Sequence, residues 1–360
     1  MKKHGKILLA LLLILGISVF AGGCGKDEDS SDGQKTEGTD GDTVTDNPVA
    51  GGEIIVGITQ DLDSLDPHKA HAAGTLEVIF NLFDGLVKPD KDGNLVPAVA
   101  SDVAISEDGM TYTFTLREGV TFHNGAPVTA EDVVYSLKRS AGLLETVDPE
   151  VIVTSALSCI SDITASKDAS GKDIIVLSLS SANTELLGYL TSAIIPKDYN
   201  NQANSPVGTG PFKFISYTPL QSFVMERYVD YYGTAPYLDK VTFKIYADTN
   251  TAFLELQGGG IDIFPYLTSE QAKQLTDNYN IENGTANLVQ ALFLNQAKKP
   301  FDDVRVRQAL CYAIDRQQIL DMVADGKGTI IGSNMFAGFA KYFNKDVVNM
   351  YSHDTAKAKE

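Results

Sequence analysis

The first 52 residues confine folding to the rest of the chain. Lys2, Lys3 and Lys6 open the sequence, and Ile7–Phe20 is almost wholly apolar. That run is too short for a comfortable membrane span, which needs about 20 apolar residues. The basic-then-apolar order is instead that of a secretory leader, residues 1–23. Residues 25–52 are rich in Gly, Ser, Thr and Asp, and between 26 and 46 stand eight acids and two lysines. Such a stretch buries too little apolar surface to offset its chain entropy and reads as a disordered, charge-extended tether. About three hundred residues remain beyond it, enough for two lobes.

The chain carries a formal charge of −18, or −21 without the three leader lysines. No basic patch stands out, which argues against nucleic-acid binding. Ala21-Gly22-Gly23-Cys24 resembles a lipobox, with Ala where Leu is usual, so Cys24 is expected to be the lipidated N-terminus of the mature protein. Cys159 and Cys311 sit in apolar surroundings (SALSCISDI, QALCYAID) and read as small core residues.

Residues 61–68 read DLDSLDPH. Three aspartates and a histidine invite a metal-site reading. An EF-hand loop needs Gly at its sixth position and Glu at its twelfth, and counting from Asp61 these are Asp66 and Ala72. Pro67 biases the chain toward a turn, so a turn with no metal is the expectation.

Patterning beyond the tether mixes both periods. Glu53–Thr59 reads as a strand, and GTLEVIFNLFDGLV as a helix with Leu76, Ile79, Phe80 and Phe83 on its inner face. Asp92-Gly93, Asp108-Gly109 and Asn124-Gly125 mark turns. Tyr112, Phe114 and Leu116 alternate with threonines in a half-buried strand. Thr129 with Asp132 caps a helix whose inner face is Val133, Val134, Leu137 and the stem of Lys138. Residues 174–180, 241–248, 290–295 and the short IDIF read as strands, and TNTAFLELQ and LTSEQAKQL as helices. Residues 302–326 read as a helix pair with Val304, Val306, Ala309, Leu310 and Ala313 inward. The irregular alternation predicts an α/β class with more than one sheet. PVGTGPF lacks the Gly-Lys-Ser/Thr of a phosphate loop, so Gly208 and Gly210 are assigned to a tight turn. Asp262 either faces a cleft or caps neighbouring amides.

Several segments in order carry a resemblance. They are SLDPH, NLFDGLVKPDKDGNLVPAVASDVAISEDGMTYTFTLREGVTFHNGAPVTAEDVVYSLKR, PVGTGPFKF, ERYVDYYG, GGGIDIF and LFLNQAKKPFDDVRVRQALCYAIDR. Together they resemble the extracytoplasmic substrate-binding lipoproteins of ABC importers, family 5, the group handling oligopeptides, dipeptides and nickel. The likeness covers residues 51–360. It departs where the family has AESW and YW, here ASDV and YY, in a chain without Trp.

The resemblance implies a type II periplasmic-binding-protein-like fold of two lobes with an extra N-terminal subdomain. Residues 53–75 and 186–288 would form the first lobe, 76–185 the extra subdomain, and 289–360 the start of a second lobe left incomplete. The chain reaches HDTAKAKE where relatives open a helix and continue, so a longer protein is expected. Residues 24–52 hold the lipidated Cys and linker. His71, Ala72, Ala73, Gly74 and Thr75 match the stretch whose backbone pairs with peptide in relatives, by strand-like addition. Phe293 and Asn295 match the crossing into the second lobe beside the ligand; Asn295 either binds ligand or braces a hinge.

The implied function is capture of peptides outside the cell and delivery to permease subunits of an ABC transporter, by a monomer lipid-anchored on the extracytoplasmic face of the membrane. Two alternatives keep the fold: a receptor for nickel complexes or another small solute, and a receptor for a signalling peptide pheromone. Neither a Gly-x-Ser-x-Gly nor a His-Glu-x-x-His occurs, so no enzymatic activity, catalytic residue, metal or cofactor is expected.

Overall fold

The computed structural model describes residues 48–146, 148–275, 279–284, 288–338 and 343–360. The leader, Cys24 and nearly all of the acidic tether lie outside the described residues. In chain order the elements are β1 (Glu53–Ile58), α1 (Ala73–Ile79), β2 (Val87–Pro89), β3 (Leu95–Pro97), β4 (Ala100–Ile105), β5 (Thr111–Leu116), α2 (Ala130–Ala141), β6 (Ile160–Lys167) and β7 (Asp173–Leu179). They continue with α3 (Leu186–Tyr189), β8 (Phe212–Thr218), β9 (Ser222–Arg227), β10 (Lys240–Ile245), α4 (Thr249–Gln257), α5 (Ser269–Lys273), α6 (Val304–Ala313) and α7 (Arg316–Ala324).

Two four-stranded sheets organise these elements. The first has the order β1-β10-β9-β8 and the second β4-β5-β7-β6. β1 pairs with β10 in parallel, from Glu53↔Lys240 to Ile58↔Ile245, so the chain leaves after β1, builds the second sheet and returns. The second sheet is antiparallel throughout, and β2 and β3 form a separate hairpin. Alternation decides its inner face: Tyr112, Phe114 and Leu116 of β5 are buried with Ile175 and Leu177 of β7 against Val133 and Leu137 of α2. The Thr129–Asp132 capping box is present in full, and Gly142 ends α2 with φ +70°. A left-handed residue at that place is a common helix stop.

The core of the first sheet takes in Val78, Ile79, Leu82 and Phe83 together with Phe212, Phe223, Met225 and Val241. Residues 78–83 therefore pack with the first sheet rather than the second. The buried face of α1 differs from the expected one. Thr75, Val78 and Ile79 are buried, followed by Leu82, whereas Leu76 is 44% and Phe80 64% exposed. Two stripes at helical spacing overlap in this sequence. The buried one contains Thr75, whose hydroxyl accepts the Asp63 N–H at 3.0 Å, and that tie sets the rotation of the helix.

PVGTGPF joins the two cores. Gly210 N donates to Leu82 O at 2.9 Å, and His123 N donates to Gly208 O at 2.9 Å. Gly208 N donates to His123 Nδ1 at 3.2 Å, so His123 is the neutral tautomer that donates from Nε2 to Gly210 O at 3.0 Å. The glycines are required by close approach. A Cβ on Gly208 would stand 2.1 Å from Leu82 O, and one on Gly210 2.5–2.7 Å from the backbone of residues 81–83.

Other expectations fail for lack of a packing partner. Residues 290–295 belong to no strand and pair with no described strand, and Phe293 is 88% exposed; a strand exists only through a neighbour's backbone groups. IDIF is reduced to a single parallel bridge, Val56↔Ile263. α6 and α7 form as expected, but neither has a buried residue, and Val304 is 52% exposed. Cys311 on α6 is likewise exposed rather than in a core, while Cys159 is half-buried against the second sheet's core; both are free thiols. Among the described residues no helix is long and apolar enough to cross a membrane.

The junction geometry yields a stability prediction. Gly210→Ala forces backbone apart and should cost roughly 1–3 kcal/mol, in the range of overpacked cores. Denaturant midpoints measure it, and an unchanged midpoint would contradict the close approach.

Candidate functional site

The carboxyl ends of β1 and β10 share one edge of the first sheet, where open α/β sheets present ligand sites. Four segments converge there. Residues 59–75 leave β1, the 219–221 tip links β8 to β9, residues 246–248 lead into α4, and residues 264–267 come after the Val56↔Ile263 bridge.

The acids of DLDSLDPH each hold a different neighbour. Asp61 accepts the Tyr217 hydroxyl at 2.9 Å and the Leu220 N–H at 3.0 Å. Asp63 accepts the N–H groups of His71 and Ala72 at 3.0 and 3.1 Å, and its carboxylate lies 2.6 Å from His71 Nδ1. Asp66 is 5% exposed and takes two hydrogen bonds from Arg139 of α2, at 2.8 and 2.7 Å. The stretch is a turn, as expected, and Asp66 both accepts the His68 N–H at 3.0 Å and is sealed in an ion pair with Arg139. Among the described residues no group of three or more His, Cys, Asp or Glu is placed to hold a metal ion.

Electrostatics track burial and pairing. Burial raises the Asp66 pKa, but the Arg139 hydrogen bonds and charge outweigh it and leave the carboxyl below its usual value. At Asp63 burial again raises the pKa, and the hydrogen bonds with Thr75, His71 and Ala72 outweigh it, so this carboxyl too is lowered. His68 donates from Nε2 to Ala193 O, 2.9 Å away, and its Nδ1 has no partner among the described residues. Burial first, then the Arg139 charge, lowers its pKa to about 4. His123 is lowered to about 4 as well, chiefly by burial.

The structure brings some expected site residues together and leaves others apart. His71 and Ala73 are exposed, Ala72 and Gly74 partly so, and all lie on the rim at the start of α1. Thr75 is fully buried; it positions the loop through Asp63 and presents no surface to a ligand. The His71 and Ala72 amides are already engaged by Asp63, so they are not open donors. Asn295 Oδ1 accepts the Ala297 N–H at 3.0 Å, a local turn bond. No hydrogen bond among the described residues links Phe293 or Asn295 to His71–Thr75. Asp262 caps: its Oδ2 accepts the Ile55 N–H of β1 at 2.7 Å.

Four residues at this edge escaped the sequence reading: Arg139, Leu220, Glu77 and Tyr266. Leu220 comes after Pro219 in a turn closed by Gln221 N to Thr218 O at 3.0 Å and has φ +60°, a place where Gly is usual. Thr-Pro-Leu-Gln carries that turn signal only in its proline. Tyr266 has φ +64° and donates its hydroxyl to Glu77 Oε1 on α1 at 2.7 Å. Each follows a proline, Pro219 and Pro265, and the sequence carries no other mark of either conformation.

The two-sheet α/β body, with its loop rim at the carboxyl ends of the parallel pair, has the type II periplasmic-binding-protein-like fold of the solved structures it matches. The chain belongs to the bacterial extracellular solute-binding proteins, family 5, whose model matches residues 94–360. It is 27% identical over 348 residues to the oligopeptide-binding protein AppA of Bacillus subtilis, across 92% of this chain and 61% of that protein. Among solved structures it resembles the ABC transporter substrate-binding protein CtaP of Listeria monocytogenes, with a TM-score of 0.74 and 29% identity over 86% of this chain and 64% of CtaP. It also resembles DppA of Helicobacter pylori in complex with the peptide STSA, with a TM-score of 0.69 and 26% identity over 87% of this chain and 65% of DppA. The chain thus spans about three fifths of the length of AppA.

His68, buried, and His123, half-buried, set a pH dependence. In the unfolded chain they take up protons near pH 6.5, but in the folded protein only near pH 4. The unfolded state binds more protons between these values, so stability is full above pH 6.5 and is lost as pH falls toward 4. The loss is on the order of 2 kcal/mol per histidine at pH 5. Melting temperature should fall from neutral pH to about pH 5, and His123→Gln, which keeps a donor and an acceptor, should flatten the slope. A flat wild-type profile would contradict the assignment.

Proposed function

We propose that this protein is a lipid-anchored receptor that captures peptides outside the cell and passes them to the permease of an ABC transporter. The observation that carries the reading is the small-residue rim His71–Gly74, pinned by Asp63 at the carboxyl edge of β1. Asp63 engages the His71 and Ala72 amides and the Leu76 N–H takes the Ala72 carbonyl, so the main-chain partner left at the rim ahead of α1 is the His71 carbonyl oxygen, which would accept from a peptide N–H without reading side chains. Phe293 and Asn295 would meet the ligand from the opposite lobe, Asn295 through an amide that both donates and accepts. The family supports solute binding, and AppA is named an oligopeptide-binding protein. Capture needs no chemistry: solute stabilises a closed arrangement of lobes by its greater affinity for that state. Cys24, in the basic–apolar–AGGC order, would carry the lipid, and the acidic tether would hold a monomeric binding body clear of an anionic surface.

The test uses protein purified from the cells that make it. Calorimetry against a mixed di- to pentapeptide library should show micromolar or tighter binding, with nickel–histidine complexes titrated in parallel. Binding of the complexes alone would replace the peptide reading with the metal-chelate one. Cys24→Ser should move the protein out of the membrane fraction, and retention there would remove the anchor from the account.

A further inference from the structure

Three described residues other than glycine have positive φ: Leu220, Tyr266 and Asp325. Asp325 caps α7, where left-handed backbone is ordinary. Leu220 sits in a tight turn. Tyr266 is in neither setting, and a bulky side chain in this region of backbone space is strained. Its neighbours explain how the strain is held. Phe264 is buried and Leu267 half-buried in the core built from α4, and Thr268 caps α5. The backbone is pinned on both sides, and Tyr266 is turned outward, 72% exposed. Burial therefore does not account for the conformation.

The ring is fixed despite its exposure. Its hydroxyl donates to Glu77 Oε1 at 2.7 Å. Glu77 lies on the helix that begins at the His71–Gly74 rim, between the exposed side chains Leu76 and Phe80. An aromatic face is thus held at the carboxyl edge of the first sheet beside an apolar helix surface. Strain stored outside any core, at the edge where ligands meet such sheets, marks a functional contact.

We propose that Tyr266 is a specificity-determining contact of the solute site. Its ring receives an aromatic or large aliphatic side chain of the bound peptide, and Glu77 positions the ring by accepting its hydroxyl. The solute class is peptides carrying such a side chain, in preference to peptides of Gly, Ala and Ser alone. The proposal rests on the peptide reading above.

The experiment compares wild type, Tyr266→Gly and Tyr266→Phe, each expressed in the protein's own cells and purified intact. Calorimetry measures two tripeptide panels, one containing Phe, Tyr or Leu and one built only of Gly, Ala and Ser. Tyr266→Gly should hold or raise the melting temperature, because glycine accepts this backbone. It should also lower the affinity ratio between the panels by about tenfold, the scale of an apolar contact. Tyr266→Phe keeps the ring but loses its tie to Glu77, and should lower the ratio less. An unchanged ratio in Tyr266→Gly, with wild type binding normally, overturns the role of Tyr266 and leaves the peptide reading standing. A wild type that binds neither panel overturns both.

Discussion

The Asp66–Arg139 pair is the interaction on which the arrangement of the site depends. Both side chains are almost sealed from water, at 7% and 9% exposure. Burying two charges is costly, and only good geometry with further hydrogen bonds offsets it. Here the guanidinium makes two parallel bonds to the carboxylate, and the His68 N–H adds a third. Removing one partner of such a pair typically costs about 3–5 kcal/mol, because the other is left buried and unpaired. The pair ties the loop leaving β1 to α2, and α2 rests on the second sheet. A loop that belongs to one sheet is thereby held by the other.

From that anchor the same eight residues distribute the remaining contacts. Asp61 holds the β8–β9 tip and Asp63 holds the rim at His71 and Ala72. Each carboxylate is spent on positioning backbone or a neighbouring side chain. A second junction, at PVGTGPF, brings backbone against backbone where only glycine fits. The two junctions together tie the carboxyl edge of the first sheet to elements of the second.

What was legible in the sequence was local. The capping box at Thr129 and Asp132, the Tyr112–Leu116 alternation and the turn glycines depend on residues a few positions apart, and they form as read. What was not legible was partnership across the chain. Arg139 stands 73 residues from Asp66, and nothing near either names the other. The face of α1 was misjudged because two apolar stripes overlap and Thr75, bonded to Asp63, selects between them. Residues 290–295 were expected as a strand and Val304, Val306, Ala309, Leu310 and Ala313 of α6 as an inward face, and neither expectation is met among the described residues, because periodicity does not say what a segment packs against. At the candidate site, the expectation for His71–Thr75 came from ordered family motifs, while the positive φ of Tyr266 leaves no mark in the residue itself.

Hydrogen exchange on the loop tests most directly whether the buried pair holds the site. Arg139→Lys keeps the charge but loses the bidentate geometry. Exchange should then quicken at the amides of residues 61–75, His71 and Ala72 included, while β5 and β7 of the second sheet keep their protection. Unchanged protection across 61–75 in a folded Arg139→Lys protein would show that the loop is held by other means and would contradict the account.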